Sequence, residues 1–225
     1  MPFALSVLDG VRWNGAPVVG ERPCALIRAL VDAGSGGSST ESLIETVWAD
    51  EPPANPTKAL QVQVSRVRSA TDPRLIERTP RGYRLGLSRD EVDALAQADL
   101  RAAARAAYEA DQLDKALASA QKALAIGRAD DMRVIVAVAT SRAGEHATAL
   151  PLLEKVVSDD PANEHVLACL LRSEAAVRGP AAALERYERH RNDVADRVGS
   201  DPAPELQDVH RELLAADRPV REGVR

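Results

Sequence analysis

The sequence predicts a mainly α-helical protein with a small antiparallel β part. Alanine, leucine and charged residues are abundant, while aromatic residues make up only 3% of the 225 residues, a composition that favours helices over sheets. The 45% hydrophobic content is enough for a packed core. Strand patterns occur only before Glu91, and amphipathic helix patterns fill the remainder. The chain therefore divides into a mixed first part and an all-helical second part.

The first part opens with a small antiparallel sheet. Strand patterns cover Phe3 to Leu8, Val11 to Trp13 and Ala16 to Val19. Asp9-Gly10 forms the first turn, and Asn14-Gly15 is typical of a type I′ hairpin. We therefore expect three short strands.

Two helices follow the sheet. The first begins at Pro23 and ends near Gly34, where glycine is a common helix terminator. A flexible loop is predicted from Gly34 to Ser39. Ser39 or Thr40 then caps a second helix, which Pro52-Pro53 stops. The apolar positions at helical spacing are Cys24, Leu26, Ile27, Leu30 and Val31 in the first helix and Leu43, Ile44, Val47 and Trp48 in the second.

A third helix is predicted from Pro56 to Ala70. Asn55 supplies an N-cap acceptor, and proline fits the first turn because no backbone donor is lost there. Leu60, Val64 and Val67 form the stripe that faces a core. The opposite face has no acidic residue and carries Lys58, Gln61, Val62, Ser65, Arg66 and Ser69. For an isolated helix, such a face is more often simply solvated.

A basic hairpin follows this helix. Its candidate strands are Leu75 to Arg78 and Tyr83 to Leu87, and Pro80-Arg81-Gly82 forms the bend. The whole chain has a net charge of −5, but the stretch from Ala54 to Gly86 carries a local charge of +5. Such a cluster is sufficient for binding DNA through counterion release. Its seven basic residues are Lys58, Arg66, Arg68, Arg74, Arg78, Arg81 and Arg84, against the two acids Asp72 and Glu77.

The order sheet, helix, helix, turn, helix, hairpin predicts a winged helix-turn-helix. In that arrangement the second helix braces the third from behind and leaves its cationic face free to enter a major groove. Arg81, at the tip of the wing, is placed to contact phosphate or the minor groove. A basic helix and a basic wing at this spacing favour DNA binding over a merely solvated surface.

From Glu91 to Asp217 the pattern predicts about seven alanine-rich helices. A weak repeat with steps of 33 and 34 residues relates Ala116, Ala149 and Ala183. Small residues at such positions let paired helices approach, as in a tetratricopeptide-like array. A plain helical bundle is the alternative. The related positions are Ala116, Ala120 and Ala123, then Ala149, Leu153 and Val156, then Ala183, Tyr187 and His190.

No enzymatic or metal-binding motif is evident in the sequence. The phosphate loop G-x-x-x-x-G-K-[ST], the nucleophile elbow G-x-S-x-G and the zinc motif H-E-x-x-H are all missing. Cys24 and Cys169 are isolated and predict buried reduced thiols. We therefore predict no catalytic residue, no metal and no cofactor. The four histidines, predicted to be surface or packing residues, are His146, His165, His190 and His210.

No run approaches the ~18 apolar residues of a membrane span, and the N-terminus has no signal-peptide pattern. These observations predict a soluble, cytoplasmic protein without membrane contact. If it binds DNA, it is nucleoid-associated.

Four stretches, in this order, resemble the Streptomyces antibiotic regulatory protein (SARP) family, in which an OmpR-type winged helix precedes a bacterial transcriptional activation domain. They are residues 42–53 (SLIETVWADEPP), 59–68 (ALQVQVSRVR), 79–85 (TPRGYRL) and 198–206 (VGSDPAPEL), the last followed by His210 and Leu213-Leu214. The resemblance implies a winged-helix domain at 1–88, an activation domain at 91–216 and a tail or linker at 217–225. Larger members of the family continue into a nucleotidase domain.

The resemblance also implies a function: binding to direct repeats upstream of promoters and recruitment of RNA polymerase to secondary-metabolite (antibiotic) biosynthesis genes. Repeats in one orientation imply two protomers side by side on DNA. Arg66 is the first choice for a base-edge contact, and Val62 for a thymine methyl. The alternative function is a tetratricopeptide-like adaptor whose winged domain does not bind DNA. The predicted DNA-binding residues are Lys58, Gln61, Val62, Ser65, Arg66, Arg68, Arg81 and Arg84, with Lys58, Arg68, Arg81 and Arg84 mainly on phosphates.

Overall fold

A computed structural model of the chain describes residues 3–49, 51, 53–198 and 201–217. The chain divides into two compact units on either side of the bond between Asp99 and Leu100. Three sequence predictions fall partly outside the described residues. They are the helix stop at Pro52, the break and closing motif at Gly199 and Ser200, and the tail after Asp217.

The first unit begins with a three-stranded antiparallel sheet in the order β1-β2-β3. Its strands are β1 (Leu5–Ser6), β2 (Arg12–Trp13) and β3 (Ala16–Pro17), each shorter than predicted. Asn14 and Gly15 have φ values of 47° and 83°, the two positive values that a type I′ turn requires. The predicted hairpin is therefore confirmed.

Three helices form the helix-turn-helix part: α1 (Glu21–Ala33), α2 (Thr40–Trp48) and α3 (Pro56–Ala70). α1 begins two residues before the predicted Pro23, and α3 has the predicted bounds. Ser39 is the cap of α2, where its hydroxyl accepts from the Ser42 amide at 3.1 Å. Asn55 caps α3 by accepting from the Lys58 amide at 3.1 Å. Local capping chemistry thus sets the start of both helices.

The wing is a second three-stranded sheet, and one of its strands was not predicted. Its strands are β4 (Ser38–Ser39), β5 (Ile76–Arg78) and β6 (Gly82–Leu85), in the order β4-β6-β5. The predicted flexible loop from Gly34 to Ser39 is therefore wrong at its end, because Ser38 and Ser39 pair with β6. Gly82 permits this pairing, since a Cβ there would lie 2.2 Å from the Ser38 carbonyl oxygen.

One apolar core supports the first unit. α3 contributes Leu60, Val64 and Val67 to it, as predicted. Two predicted core positions, Ile44 and Cys24, are only half-buried, and the Cys24 thiol donates to the Val18 carbonyl at 3.3 Å. The fully buried large side chains of this core are Leu5, Leu26, Ile27, Leu30, Leu43, Leu60, Leu75 and Ile76.

The described residues after Val92 form seven helices, as predicted, and the unit division falls inside the first of them. From α5 to α9, each helix packs against the next, and α10 packs against both α8 and α9. The nine repeat positions are buried except His190, which is half-buried. The helices are α4 (Asp93–Glu109), α5 (Leu113–Ile126), α6 (Asp130–Arg142), α7 (His146–Asp159), α8 (Glu164–Arg178), α9 (Pro180–Val198) and α10 (Pro204–Ala216).

Candidate nucleic-acid interface

α3 presents a polar and cationic face to solvent. Lys58 and Arg66 are exposed at its two ends, and Val62 between them is 43% exposed. An apolar side chain that is left open on an otherwise polar face can contact a thymine methyl group. Gln61 and Ser65 are also exposed. This face has the orientation that the helical spacing predicted.

The buried side of α3 fixes this orientation. Val64 and Val67 are almost fully buried, and α3 packs against both α1 and α2. Rotating the helix to turn Arg66 inward would expose these two side chains, at about 1.5–3 kcal/mol for each. The core therefore holds the cationic face in place without any contact from the cations themselves.

Arg68 lies on a different side of α3 from Arg66. Its Nε and Nη2 donate to the Ile76 carbonyl oxygen at 3.0 and 2.7 Å, and its side chain is half-buried. The guanidinium therefore joins the end of α3 to β5. A DNA contact by Arg68 stays a prediction, and the structure gives this side chain an internal role that the sequence did not indicate.

The two predicted wing arginines also differ from each other. Arg81 is exposed at the bend, and its carbonyl oxygen accepts from the Thr40 amide at 3.1 Å. Arg84 forms an ion pair with Glu77, in which Nε donates to Oε2 at 2.8 Å and Nη2 lies 2.6 Å from it. Within the described part of the chain, the Arg81 guanidinium has no partner, so it is the more available of the two.

The structure brings the wing and α3 together. A cleft of about 90 Å³ is lined by Thr57 and Gln61 from α3, by Thr40 from α2, and by Arg78 and Arg81 from the wing. Arg78 was counted in the basic cluster but was not predicted as a site residue. The sequence could have indicated this position, because side chains alternate between the two sides of a strand. In β5 this alternation puts Arg78 on the same side as buried Ile76.

Both acids of the basic stretch are neutralised locally. Glu77 pairs with Arg84, and Asp72 pairs with Arg74 at 3.3 Å. Hydrogen bonds from the Arg74 backbone amide and then from its side chain hold the pKa of Asp72 below its ordinary value. The remaining cations have no acidic partner within the residues described, so the surface keeps an excess of positive charge. They are Lys58, Arg66, Arg68, Arg78 and Arg81.

The histidines of the second unit make intramolecular contacts. His165 lies between the Tyr108 hydroxyl at 3.0 Å and Glu205 at 3.1 Å, and His210 stacks on Tyr187 with ring centres 4.1 Å apart. His146 contacts Ser173, and His190 contacts Glu164. Among the described residues, no three His, Cys, Asp or Glu side chains are grouped so that they could hold a metal ion.

Within the part of the chain that the structure describes, no helix has both the length and the apolar character needed to cross a membrane.

Several known proteins are similar to this chain. The family model of the bacterial transcriptional activator domain matches residues 88–214. The regulatory protein AfsR of Streptomyces coelicolor is 27% identical over 88% of this chain, and the regulatory protein DnrI of Streptomyces peucetius is 24% identical over 78% of it. The chain spans 22% of the length of that AfsR and 77% of the length of DnrI.

A solved structure shares the fold. It is Mycobacterium tuberculosis EmbR in complex with a low affinity phosphopeptide, with a TM-score of 0.71 at 22% identity. The match covers 96% of this chain and 65% of that one. Together with the helices and sheets described above, it confirms the predicted fold class, a winged helix-turn-helix followed by a tetratricopeptide-like array.

Proposed function

The chain belongs to the bacterial transcriptional activator domain family, among the Streptomyces antibiotic regulatory proteins, and from this membership we propose that it is a sequence-specific, DNA-binding transcriptional activator. One observation carries the proposal. The exposed face of α3 holds Lys58 and Arg66 without an acidic partner among the described residues, and unpaired Arg81 lies on the adjacent wing. Cations that are not used inside the protein are available to phosphates.

Arg66 reads a base edge in the proposed complex. Its guanidinium offers a bidentate fork that matches O6 and N7 of guanine in the major groove. Val62, one turn earlier on the same exposed face, meets a thymine methyl group. Gln61 and Ser65 provide further hydrogen-bonding groups on this face. Sequence preference therefore comes from the middle of α3.

Lys58 and Arg81 contact phosphates on either side of the reading face. Such contacts fix the position of the protein on the duplex but carry no sequence information. Arg68 and Arg84 are also predicted to contact phosphates. Each of them must first release its partner, the Ile76 carbonyl or Glu77, so we expect smaller contributions from these two.

We further propose that residues 1–88 form the DNA-binding domain and residues 91–216 the activation domain. Two protomers lie side by side on direct repeats upstream of a promoter and recruit RNA polymerase. The similarity to AfsR and DnrI, both regulatory proteins of Streptomyces, supports control of secondary-metabolite genes. The protein then acts in the cytoplasm at the nucleoid, and no catalytic step is assigned to it.

Selection of bound duplexes from a random pool tests this proposal. The full chain is immobilised, bound duplexes are recovered at moderate salt, and several rounds are sequenced. We expect a tandem motif whose two copies have the same orientation and lie about 10 base pairs, one helical turn, apart. A single motif would refute the paired arrangement. No enrichment, together with no duplex binding at low salt, would refute DNA binding and support the adaptor alternative.

A further inference from the structure

The two faces of the wing are chemically different. In the pairing of β5 with β6, Ile76 is opposite Leu85 and Arg78 is opposite Tyr83. Because residues directly opposite each other share a face, and residues two apart in a strand share a face, these four side chains lie on one side of the sheet. Ile76, Leu85 and Tyr83 are buried. Arg78 therefore lies on the core-facing side of this sheet, at the end that is exposed to solvent.

Arg84 lies on the opposite side of the same sheet. It is paired with Glu77 across the strands, and the two side chains form the ion pair described above, with Nη2 of Arg84 2.6 Å from Oε2 of Glu77. A phosphate at this position would meet the Glu77 carboxylate as well as the guanidinium. The outer side of the wing thus presents a nearly neutral pair.

Arg78 faces a cleft that suits an anion. Thr57 and Gln61 of α3 line this cleft together with Arg78 and Arg81, and no acidic side chain lines it. Arg78 is exposed, and within the described ranges no side chain or backbone group is bound to its guanidinium. The cleft therefore combines two uncompensated guanidinium groups with a hydroxyl and an amide.

We propose that Arg78 contacts a DNA phosphate at the junction between α3 and the wing, and that Arg78 contributes more than Arg84 to binding by the wing. This inference rests on the proposed function. The guanidinium fork fits two phosphate oxygens, and Thr57 can donate a further hydrogen bond from α3. Since a phosphate contact is independent of sequence, Arg78 sets the affinity and the docking of α3 rather than base preference.

The test compares Arg78→Ala with Arg84→Ala and with the control Arg189→Ala, an equal charge change at an exposed position in α9, each in the full chain. Binding to a fluorescein-labelled duplex of mixed sequence is measured by anisotropy over a series of salt concentrations. We expect Arg78→Ala to weaken binding about five- to tenfold and to reduce the slope of log K against log salt by about 0.9, the value for one phosphate contact. Arg189→Ala should change the affinity less than about twofold. Arg84→Ala should weaken binding less than Arg78→Ala does, because Arg84 must first leave Glu77 to meet a phosphate.

Two further measurements separate a lost phosphate contact from a folding defect. Thermal unfolding of Arg78→Ala should match that of the wild type, because Arg78 has no partner in the described structure. Arg78→Lys should restore the salt slope, since it restores the charge. The inference is overturned if Arg84→Ala loses as much affinity as Arg78→Ala, or if the slope of Arg78→Ala is unchanged. If the wild type binds no duplex at low salt, the proposed function fails and this inference fails with it.

Discussion

The two units use their cations in different ways. In the second unit, arginines pair with carboxylates between helices: Arg101 and Arg105 contact Asp131, and Arg172 contacts Glu212. In the basic stretch of the first unit, both acids are already paired within the stretch. These arginines of the second unit join its helices, whereas most cations in the basic stretch have no acidic partner among the described residues.

This difference separates structural charge from charge that is available to a partner. A paired arginine must leave its carboxylate before it can bind a phosphate, and the exchange brings little net gain. An unpaired arginine can bind a phosphate without breaking an existing ion pair. In α3, the buried side of the helix also keeps such an arginine on the exposed face. Substitutions at the paired arginines of the second unit should therefore change stability, and substitutions on the exposed face of α3 should change DNA binding alone.

The largest effect is expected for Glu174→Ala in α8. The Glu174 carboxylate is buried and accepts from Arg178 at 2.9 Å and from Arg186 at 3.0 Å. Removing it breaks these bonds and leaves Glu154 as the remaining acidic partner of both guanidinium groups. We therefore expect the free energy of unfolding to fall by about 3 kcal/mol, the upper end for hydrogen bonds to charged groups. Chemical denaturation of the full chain measures this. Glu212→Ala, at an exposed pair with Arg172, is the control and should cost less than about 1 kcal/mol.

The same carboxylate predicts a pH dependence. Burial raises the pKa of Glu174, but the bonds from Arg186 and Arg178 outweigh burial and hold the pKa below its ordinary value. A group with a lowered folded-state pKa stabilises the protein above its unfolded-state pKa, and this contribution is lost as the pH falls through the folded-state pKa. The stability difference between wild type and Glu174→Ala should therefore shrink in acid. A difference that is constant down to acidic pH would contradict this assignment.

Arg66→Ala tests whether an unpaired cation of the first unit binds DNA. It should weaken binding to the selected duplex by about 1–3 kcal/mol and relax one position of the site. Stability should be unchanged, since Arg66 is exposed and has no hydrogen bond or ion pair among the described residues. Repeating the duplex selection with the variant measures the preference. An equal loss on every sequence would refute the base-reading role.

Arg68→Ala compares an arginine that is bonded within the protein with the unpaired Arg66 of the same helix. Loss of the two hydrogen bonds to the Ile76 carbonyl should lower the free energy of unfolding by about 1.5 kcal/mol, the lower end for a bond to a charged group. Arg66→Ala on the same helix is the matched control. If Arg68→Ala unfolded like the wild type, the bonds to the Ile76 carbonyl would not stabilise the fold. A lower affinity with a smaller salt slope would then assign Arg68 to phosphate contact alone.

The smallest effect is expected on the buried side of α3. Gln63 is buried, and its Oε1 has no hydrogen-bond partner among the described residues. Replacing it with methionine, which is unbranched and of similar length, removes an unsatisfied acceptor. Gln63→Met should therefore raise the free energy of unfolding by about 1 kcal/mol, with DNA affinity unchanged. A destabilised variant would indicate that the Gln63 amide makes a contact that matters to the fold.

The sequence predicts most completely what local chemistry determines. The bounds of α3 follow from the Asn55 cap and Pro56, and the type I′ turn follows from Asn14-Gly15. The strand Ser38–Ser39 has no apolar alternation, and it exists only because β6 lies beside it. Its pairing depends on residues more than 40 positions away, so no local pattern could predict it.

The same limit applies to the interface. Helical spacing correctly placed Lys58, Val62 and Arg66 on an exposed face. It could not show that Arg68 reaches the Ile76 carbonyl, because that contact depends on where β5 lies. Strand alternation could have separated Arg78 from Arg84, since the apolar neighbours mark the core-facing side of β5. The residue type predicts the charge of a side chain, but the fold determines whether another group of the protein already binds that side chain.

A double charge reversal tests the central claim most directly. The full chain carrying Lys58→Glu and Arg66→Glu is compared with a chain carrying Lys122→Glu and Arg189→Glu, an equal charge change at exposed positions in α5 and α9. The measurement is affinity for a mixed-sequence duplex at low salt. We predict that the α3 variant loses binding by more than about a hundredfold, since two contacts become repulsive, while the control stays within about threefold. Equal binding by the two variants would contradict the assignment of the DNA-binding surface to α3.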